Sequence, residues 1–454
     1  MNKYILKLTI TALLMILFAT HDLQAQQTET LTLEQVIEAA LKNNNLLHIK
    51  QLQVSEQDAK IKESKVKYFP IVSLNSTYQY NFNIGTLTVP EGSFGSLPLY
   101  YPTGMVNVAM PNEDAVFDLG KHNAFNAGVT AYQPLTQLFK VNTGVHVAKT
   151  DRSIAVLEQT KAELQITNAV EQLYYGILAV NKRKLELQKN IEIAELKLYD
   201  VQSAVLSGKT IDANEAGLRA NVADKQQELL KLNFQEEDYI VELKKITGIS
   251  SNEILLADEE TVLPTNKDLQ SYQEDAETNS VDIQLIQLQK QKAELGIKAA
   301  QNSYLPELGI IGGYTYQYGN NIFPEHNPFV GLSLRWNITD LFGNKQDYSR
   351  NNIVKEQAKE KEIYTKKEIS AKVETAYRKM KQSQELISVA EKAVDYRKQE
   401  LKVEQDRKDA GLATQIKVLE TEAALAKSEA DLYGAKQSYK VALSELNMLT
   451  QNGK

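Results

Sequence analysis

The sequence predicts a mainly α-helical chain that contributes strands to a transmembrane β-barrel and is built as a duplicated repeat of long coiled-coil helical hairpins. Three observations carry that prediction. Heptads of apolar and small residues run for tens of residues without proline, four short segments alternate apolar and polar side chains, and the whole order of elements occurs twice.

The chain has 454 residues, 43% of them apolar, enough for a sizeable core. A net charge of −7 argues against nucleic acid as a partner, because a phosphate-binding surface needs clustered Lys and Arg. There is no cysteine, which excludes disulfides, thiolate metal sites, a cysteine nucleophile and a lipid-modified N-terminal cysteine.

Residues 1–25 read as a secretory signal peptide: Lys3 and Lys7 precede the apolar run "LTITALLMILFA", and Ala25 ends the segment before the cut. The competing reading, a membrane anchor, needs a run of roughly 20 apolar residues, and this one is shorter. No later segment is long and apolar enough to span a bilayer as a helix.

The first repeat is placed at residues 26–262 and the second at 263–454. Each begins with helices and continues into two strands, expected at about 70–84 and 124–135 in the first repeat and about 307–319 and 328–338 in the second. The first strand, "VSLNSTYQYNFNI", puts Val72, Leu74, Tyr78, Tyr80, Phe82 and Ile84 on one face and Ser73, Asn75, Thr77, Gln79, Asn81 and Asn83 on the other, the period of a half-buried strand. "YFPIVSLNSTYQYN" from Tyr68 is echoed by "YLPELGIIGGYTYQYGN" from Tyr304, and "GVTAYQPLTQLFK" from Gly128 by "GLSLRWNITDLFG" from Gly331. The offsets differ because the first copy carries about 33 extra residues between its strands. That loop, Gly85 to Asn123, is rich in proline and aromatic residues and reads as an ordered external cap.

Long helical hairpins follow, expected at about 141–247 and 344–449. In the second, Ile369, Val373, Ala376, Met380, Ser383, Ile387, Ala390, Val394 and Leu401 recur at alternating spacings of four and three, a coiled-coil signature in which alanines let helices approach closely. Each long helix turns at a glycine, "LSGKTID" or "DAGLATQ", and a shorter heptad helix returns. A soluble coiled-coil rod would account for the helices alone. It does not account for the strands.

Two strands per repeat are too few for a sheet with its own core. In the second repeat Val330, Leu332, Leu334, Trp336 and Ile338 alternate with Gly331, Ser333, Arg335 and Asn337. An apolar outer face, a polar inner face and tyrosines near the strand ends fit an outer-membrane barrel, whose strands need about 9 to 11 residues to cross. Four strands per chain cannot close a barrel, so several chains must pool theirs. The apolar face is then set against lipid, and Gln79, Asn81, Thr315 and Arg335 face the lumen. Hairpins folded onto the chain's own helices are the alternative.

With these features the sequence resembles the TolC family of outer-membrane efflux ducts, over nearly all of the chain after the signal peptide. The likeness lies in the duplicated helix, strand, strand, helical-hairpin order and in "AGLATQIKVLETEAALAKSEADLYGAKQSYKVALSELNMLT". It implies a homotrimer in the outer membrane of a Gram-negative bacterium, with a 12-stranded barrel drawing four strands from each protomer. A helical tunnel would cross the periplasm, with residues around 250–278 and both termini as a belt around it. Its implied partners are outer-membrane lipid, a periplasmic adaptor protein and an inner-membrane transporter of the resistance-nodulation-division or ABC type. Gly411, Leu412 and Thr414 match the family's Gly-Leu-x-Ser/Thr tip, the stretch that meets the adaptor. In the first repeat Gly208 and Thr210 hold the corresponding turn, but Lys209 stands where leucine would be. The family's paired acids just past the turn, which narrow the closed tunnel end, correspond to Asp212 and Glu215 and to Glu420, with Lys417 replacing the fourth. An ordinary solvated helix face is the other reading of these charges. A periplasmic coiled-coil scaffold or adaptor without a barrel is the alternative function.

Catalytic readings find little support. "SGKT" at Ser207 to Thr210 has Ser203 where a phosphate-binding loop needs its first glycine. His21, His48, His122, His146 and His326 show no metal-ligand spacing. The sequence therefore predicts no enzyme and no cofactor.

Overall fold

The structure is a computed structural model that describes residues 30–207, 215–250, 254–258 and 267–451. The expected signal peptide lies outside these residues. In the first repeat β1 (Thr30–Leu31) is followed by α1 (Leu33–Asn43), α2 (Asn45–Val66), β2 (Ile71–Tyr80), β3 (Thr86–Val89), β4 (Ser96–Tyr101), β5 (Gly104–Ala109), β6 (Ala115–Asp118), β7 (Gly120–Pro134), α3 (Gln137–Leu206), α4 (Glu215–Thr247) and β8 (Leu255–Leu256). The second contains α5 (Leu269–Asn279), α6 (Val281–Asn302), β9 (Glu307–Asn320), β10 (His326–Arg335), α7 (Asp340–Asp409) and α8 (Gln415–Thr450).

The chain divides into two compact units. One comprises the described residues within 1–53, 156–286 and 361–454 and is helical; the other comprises 54–155 and 287–360 and holds the sheet.

Duplication is visible in the helices themselves. α1 and α5 have 11 residues each, α2 and α6 have 22, and α3 and α7 have 70. At 1.5 Å per residue the two longest extend roughly 105 Å. Both short helices start on a side-chain cap: Thr32 accepts from the Gln35 amide while Gln35 reaches back to the Thr32 amide, and Asp268 accepts from the Ser271 amide.

In the helical unit one core joins Val36 and Ala40 of α1 to Ile166, Val170, Tyr174 and Ile177 of α3 and Leu243 of α4. Its counterpart joins Tyr272 and Ala276 of α5 to Ile369, Val373, Ala376, Met380 and Ile387 of α7 and to Tyr439, Ala442 and Leu446 of α8. Each large aliphatic side chain so buried contributes about 1.5–3 kcal/mol. Every other turn of α7 supplies one, so packing rather than propensity holds so long a helix.

The ends of the repeats are tied within this unit. β1 pairs in parallel with β8, Thr30 with Leu255 and Leu31 with Leu256. The Tyr174 hydroxyl lies 2.6 Å from the Ala257 carbonyl and 3.2 Å from that of Leu31, which fixes both segments to α3.

In the other unit the four long strands form one antiparallel sheet in the order β10-β9-β7-β2. Three strand ends differ from the sequence expectation. β2 stops at Tyr80, because Asn81 closes the ladder by donating to the His122 carbonyl at 2.7 Å and the chain then bends at Phe82 and Asn83. β7 starts earlier, at Gly120, through an irregularity before Phe125. β10 stops at Arg335, because Asn337 already turns the chain into α7, its amide donating to the Asp340 carboxylate at 2.9 Å.

Candidate functional site

The sheet register assigns every side chain of the four strands to one of two faces. Leu74 pairs with Val129, Val129 with Tyr314 and Tyr314 with Pro328; Ile310 pairs with Leu332 and Gly312 with Val330. Side chains of paired residues share a face. One face therefore carries Val72, Leu74, Tyr78, Val129, Ile310, Tyr314, Val330, Leu332 and Leu334. It is uncovered: Leu74 is 75% exposed, Leu332 76% and Val330 82%. An aqueous protein does not leave so continuous an apolar surface in water.

The opposite face is largely polar. It carries Ser73, Asn75, Thr77 and Gln79 on β2, Asn126 and Thr130 on β7, Thr315 and Gln317 on β9, and Asn327, Ser333 and Arg335 on β10. The hydroxyls of Ser73 and Thr130 are 2.7 Å apart across the strands. Gln79, Thr315 and Arg335 thus share one face of the sheet. Asn81 sits one residue beyond β2, accepting from the Gln79 amide at 2.6 Å. The Tyr132 ring covers Gly309, where a side chain would collide with it.

β2 and β10 are the outermost strands, each with one edge unpaired. At the end of the sheet away from the helix junctions, tyrosines gather on the apolar face. The Lys121 ammonium lies 4.3 Å from the Tyr318 ring centroid, and the Tyr314 hydroxyl is 2.6 Å from Nδ1 of His326. An aromatic girdle with polar tips suits a membrane–water boundary. Among the described residues no helix is long and apolar enough to cross a membrane, and no cluster of His, Asp and Glu is arranged to hold a metal.

In the helical unit the turn between α7 and α8 explains its own sequence. The Leu412 amide donates to Arg407 O at 2.7 Å and the Gly411 amide to Lys408 O at 2.9 Å, a Schellman closure that needs Gly411 in the left-handed region, at φ +72°. Thr414 then caps α8, its hydroxyl accepting from the Lys417 amide at 3.3 Å. Gly411 and Thr414 therefore serve the turn. Leu412, beyond the backbone bond its amide makes, is 71% exposed.

Two of the charged candidates are already engaged. Glu420 pairs with Lys197 of α3 at 2.7 Å, and Glu215 accepts from Arg219 at 2.6 Å and from Gln202 at 2.8 Å. Lys417 is exposed. Gly208, Thr210 and Asp212 lie outside the described residues. Sequence reasoning missed Lys197 and Arg219; the i, i+4 spacing of Glu215 and Arg219 was a readable signal, whereas Lys197 is 223 positions from Glu420. It also missed two half-buried groups, Glu171 on α3 and Tyr433 on α8. Burial pushes the Glu171 carboxyl up, opposed by the Ser444 hydroxyl and the Lys440 ammonium. Burial and neighbouring Asp258 push the Tyr433 phenol well above its ordinary range.

The model of the family described as outer membrane efflux protein matches residues 36–249 and 273–450. The chain belongs to that family. It is accordingly an outer-membrane efflux channel of a Gram-negative bacterium, reaching into the periplasm, and not an enzyme. No curated protein matches it by sequence. Solved structures similar to this efflux protein include the CmeC outer membrane channel of Campylobacter jejuni, at 16% identity and TM-score 0.70 over 93% of this chain and 86% of that one. The open state of the Neisseria gonorrhoeae MtrE outer membrane channel is 14% identical, with TM-score 0.70 over 93% and 89%. A membrane protein from Pseudomonas aeruginosa is 13% identical, with TM-score 0.70 over 92% and 90%. At such identities the likeness is one of fold.

Proposed function

We infer that the protein is a passive, trimeric channel-tunnel that exports its substrates when docked to a periplasmic adaptor and an inner-membrane pump. The observation that carries this reading is the two-faced sheet with open edges. An exposed row of unpaired backbone groups cannot remain in hydrocarbon, so each β2 edge takes a β10 edge from another copy until the sheet closes. Two copies would give eight strands, a barrel filled by its own side chains; three give twelve and leave a bore. The polar face then lines water and the apolar face meets lipid.

The helical unit forms the periplasmic tunnel in this reading, with the exposed Leu412 as an apolar knob for the adaptor. Transport in this reading is powered by the partners. A periplasmic scaffold would leave the apolar face of the sheet in water. The experiment is a pair of measurements on detergent-purified protein: mass by light scattering and conductance in planar bilayers. A trimer with small conductance supports the reading, and a stable monomer in detergent-free buffer refutes it.

A further inference from the structure

The connection between β2 and β7 is the part of the sheet unit that a channel wall does not require. It folds as a ribbon of two hairpins, β3 with β6 and, farther out, β4 with β5. All four helix junctions lie at the opposite end of the long strands, since α2 enters β2, β7 leads to α3, α6 enters β9 and β10 leads to α7. In the channel reading the ribbon is therefore external.

Its register gathers Leu97, Leu99, Tyr101, Val106 and Val108 on one face. That face is open, with Leu97 and Val106 each 51% exposed and Tyr101 54%. A two-stranded ribbon is at best marginally stable alone in water, so an apolar face of this kind needs a cover. Charge argues against lipid headgroups: residues 82–120 contain no Lys, Arg or His but include Glu91, Glu113, Asp114 and Asp118. Such a segment is repelled by an anionic membrane surface.

Position argues for another copy of the chain. The ribbon rises from β2, the edge that takes a neighbour's β10. On its β7 side it already holds its own β9–β10 turn, where the Asn321 side-chain amide donates to Asp118 O at 2.9 Å and its backbone amide to Leu119 O at 3.2 Å. That turn carries Ile322 and Phe323, 63% and 59% exposed. Closing the sheet edge delivers the neighbour's identical turn to the ribbon's other side, where Phe82 is 85% exposed. We propose that the ribbon is an inter-subunit clasp whose apolar side, from Phe82 outward, is covered by the next copy of this chain, beginning with that copy's Ile322 and Phe323. This rests on the channel reading above.

The test places a photoactivatable benzoylphenylalanine singly at Phe82, Tyr101 or, as a reference on the outermost strand, Val72. Full-length protein is irradiated in cells and after purification in detergent, then run on denaturing gels. The clasp predicts covalent dimers and trimers of this chain from Phe82 and Tyr101, with the Phe82 yield falling several-fold when Phe323→Ser is added. Oligomers from Val72 with only monomers from Phe82 and Tyr101 overturn the clasp and leave the channel intact. A product with a different protein at Tyr101 overturns it as well. Monomers at all three positions, with a monomeric mass in solution, overturn the channel reading itself.

Discussion

In the first repeat the two long strands are joined through the ribbon of residues 81–119, whereas in the second they are joined by residues 321–325 alone. Three helix pairs show no such freedom, with 11, 22 and 70 residues in both copies. The difference follows from what each part must fit. A helix in a continuous heptad seam cannot gain or lose a residue without rotating every following side chain off the seam. A connection at the free end of a sheet carries no such register, so that end is where the chain becomes individual.

The strongest way to break this comparison is to attack what both repeats share. An arginine at Leu332 or Leu74, on the apolar face, should cost about 2–4 kcal/mol per site near the bilayer midplane. Folded protein in the outer membrane should fall sharply, measured by heat-modifiable migration. Thr315→Arg, on the polar face of the same sheet, should insert normally. Equal loss from both faces would mean the faces do not differ in surroundings.

The α7–α8 turn comes next. Leu412→Asp should abolish efflux, read as drug or dye retention in cells, with no fall in the amount of protein. Gly411→Ala forces a side chain into the left-handed region and should cost about 1–2 kcal/mol locally, lowering efflux only in part. A Leu412 variant with full efflux would show that the exposed leucine contacts no partner.

How much of this was readable beforehand differs between the same two kinds of region. The buried stripe of α7, Ile369 through Val394, was legible because a heptad repeats the same information many times. The two faces of β2 were legible for the same reason, at period two. The end of β2 was not, since Phe82 continues the alternation and only the hydrogen bond from Asn81 to His122 shows that the ladder has stopped. The ribbon's internal pairing of Leu87 with Phe117 and Leu99 with Val106 depends on residues brought together by the fold. At the candidate constriction, sequence supplied the acids but not Lys197, whose contact with Glu420 depends on how α3 meets α8.

That contact makes the acids a weaker lever than their number suggests. Glu215→Gln with Glu420→Gln should shift the reversal potential under a salt gradient only slightly toward lower cation selectivity, because Arg219 and Lys197 already offset both charges. A large shift would mean that these pairs open in the assembled channel.

The smallest expected effect concerns Glu171. Its carboxyl is raised by burial, so its ionised form is disfavoured in the fold. The penalty is absent below the ordinary carboxylate range, grows as pH rises through the window up to the raised value, and is fully present above it. Glu171→Gln should therefore melt slightly higher than the parent at neutral pH and equally at a pH below the ordinary carboxylate range. The opposite order would show that the hydrogen bond to Ser444 and the charge of Lys440 outweigh the cost of burial.

The central claim is that one face of the sheet meets water and the other lipid. Because the chain has no cysteine, single cysteines can be placed along β2 without background. Val72, Ser73, Leu74, Asn75, Thr77, Tyr78 and Gln79 would each be replaced in turn and treated with a membrane-impermeant, water-soluble thiol reagent in intact outer membranes. The account predicts alternation, with positions 73, 75, 77 and 79 labelled and 72, 74 and 78 protected. Uniform labelling along the strand would contradict it.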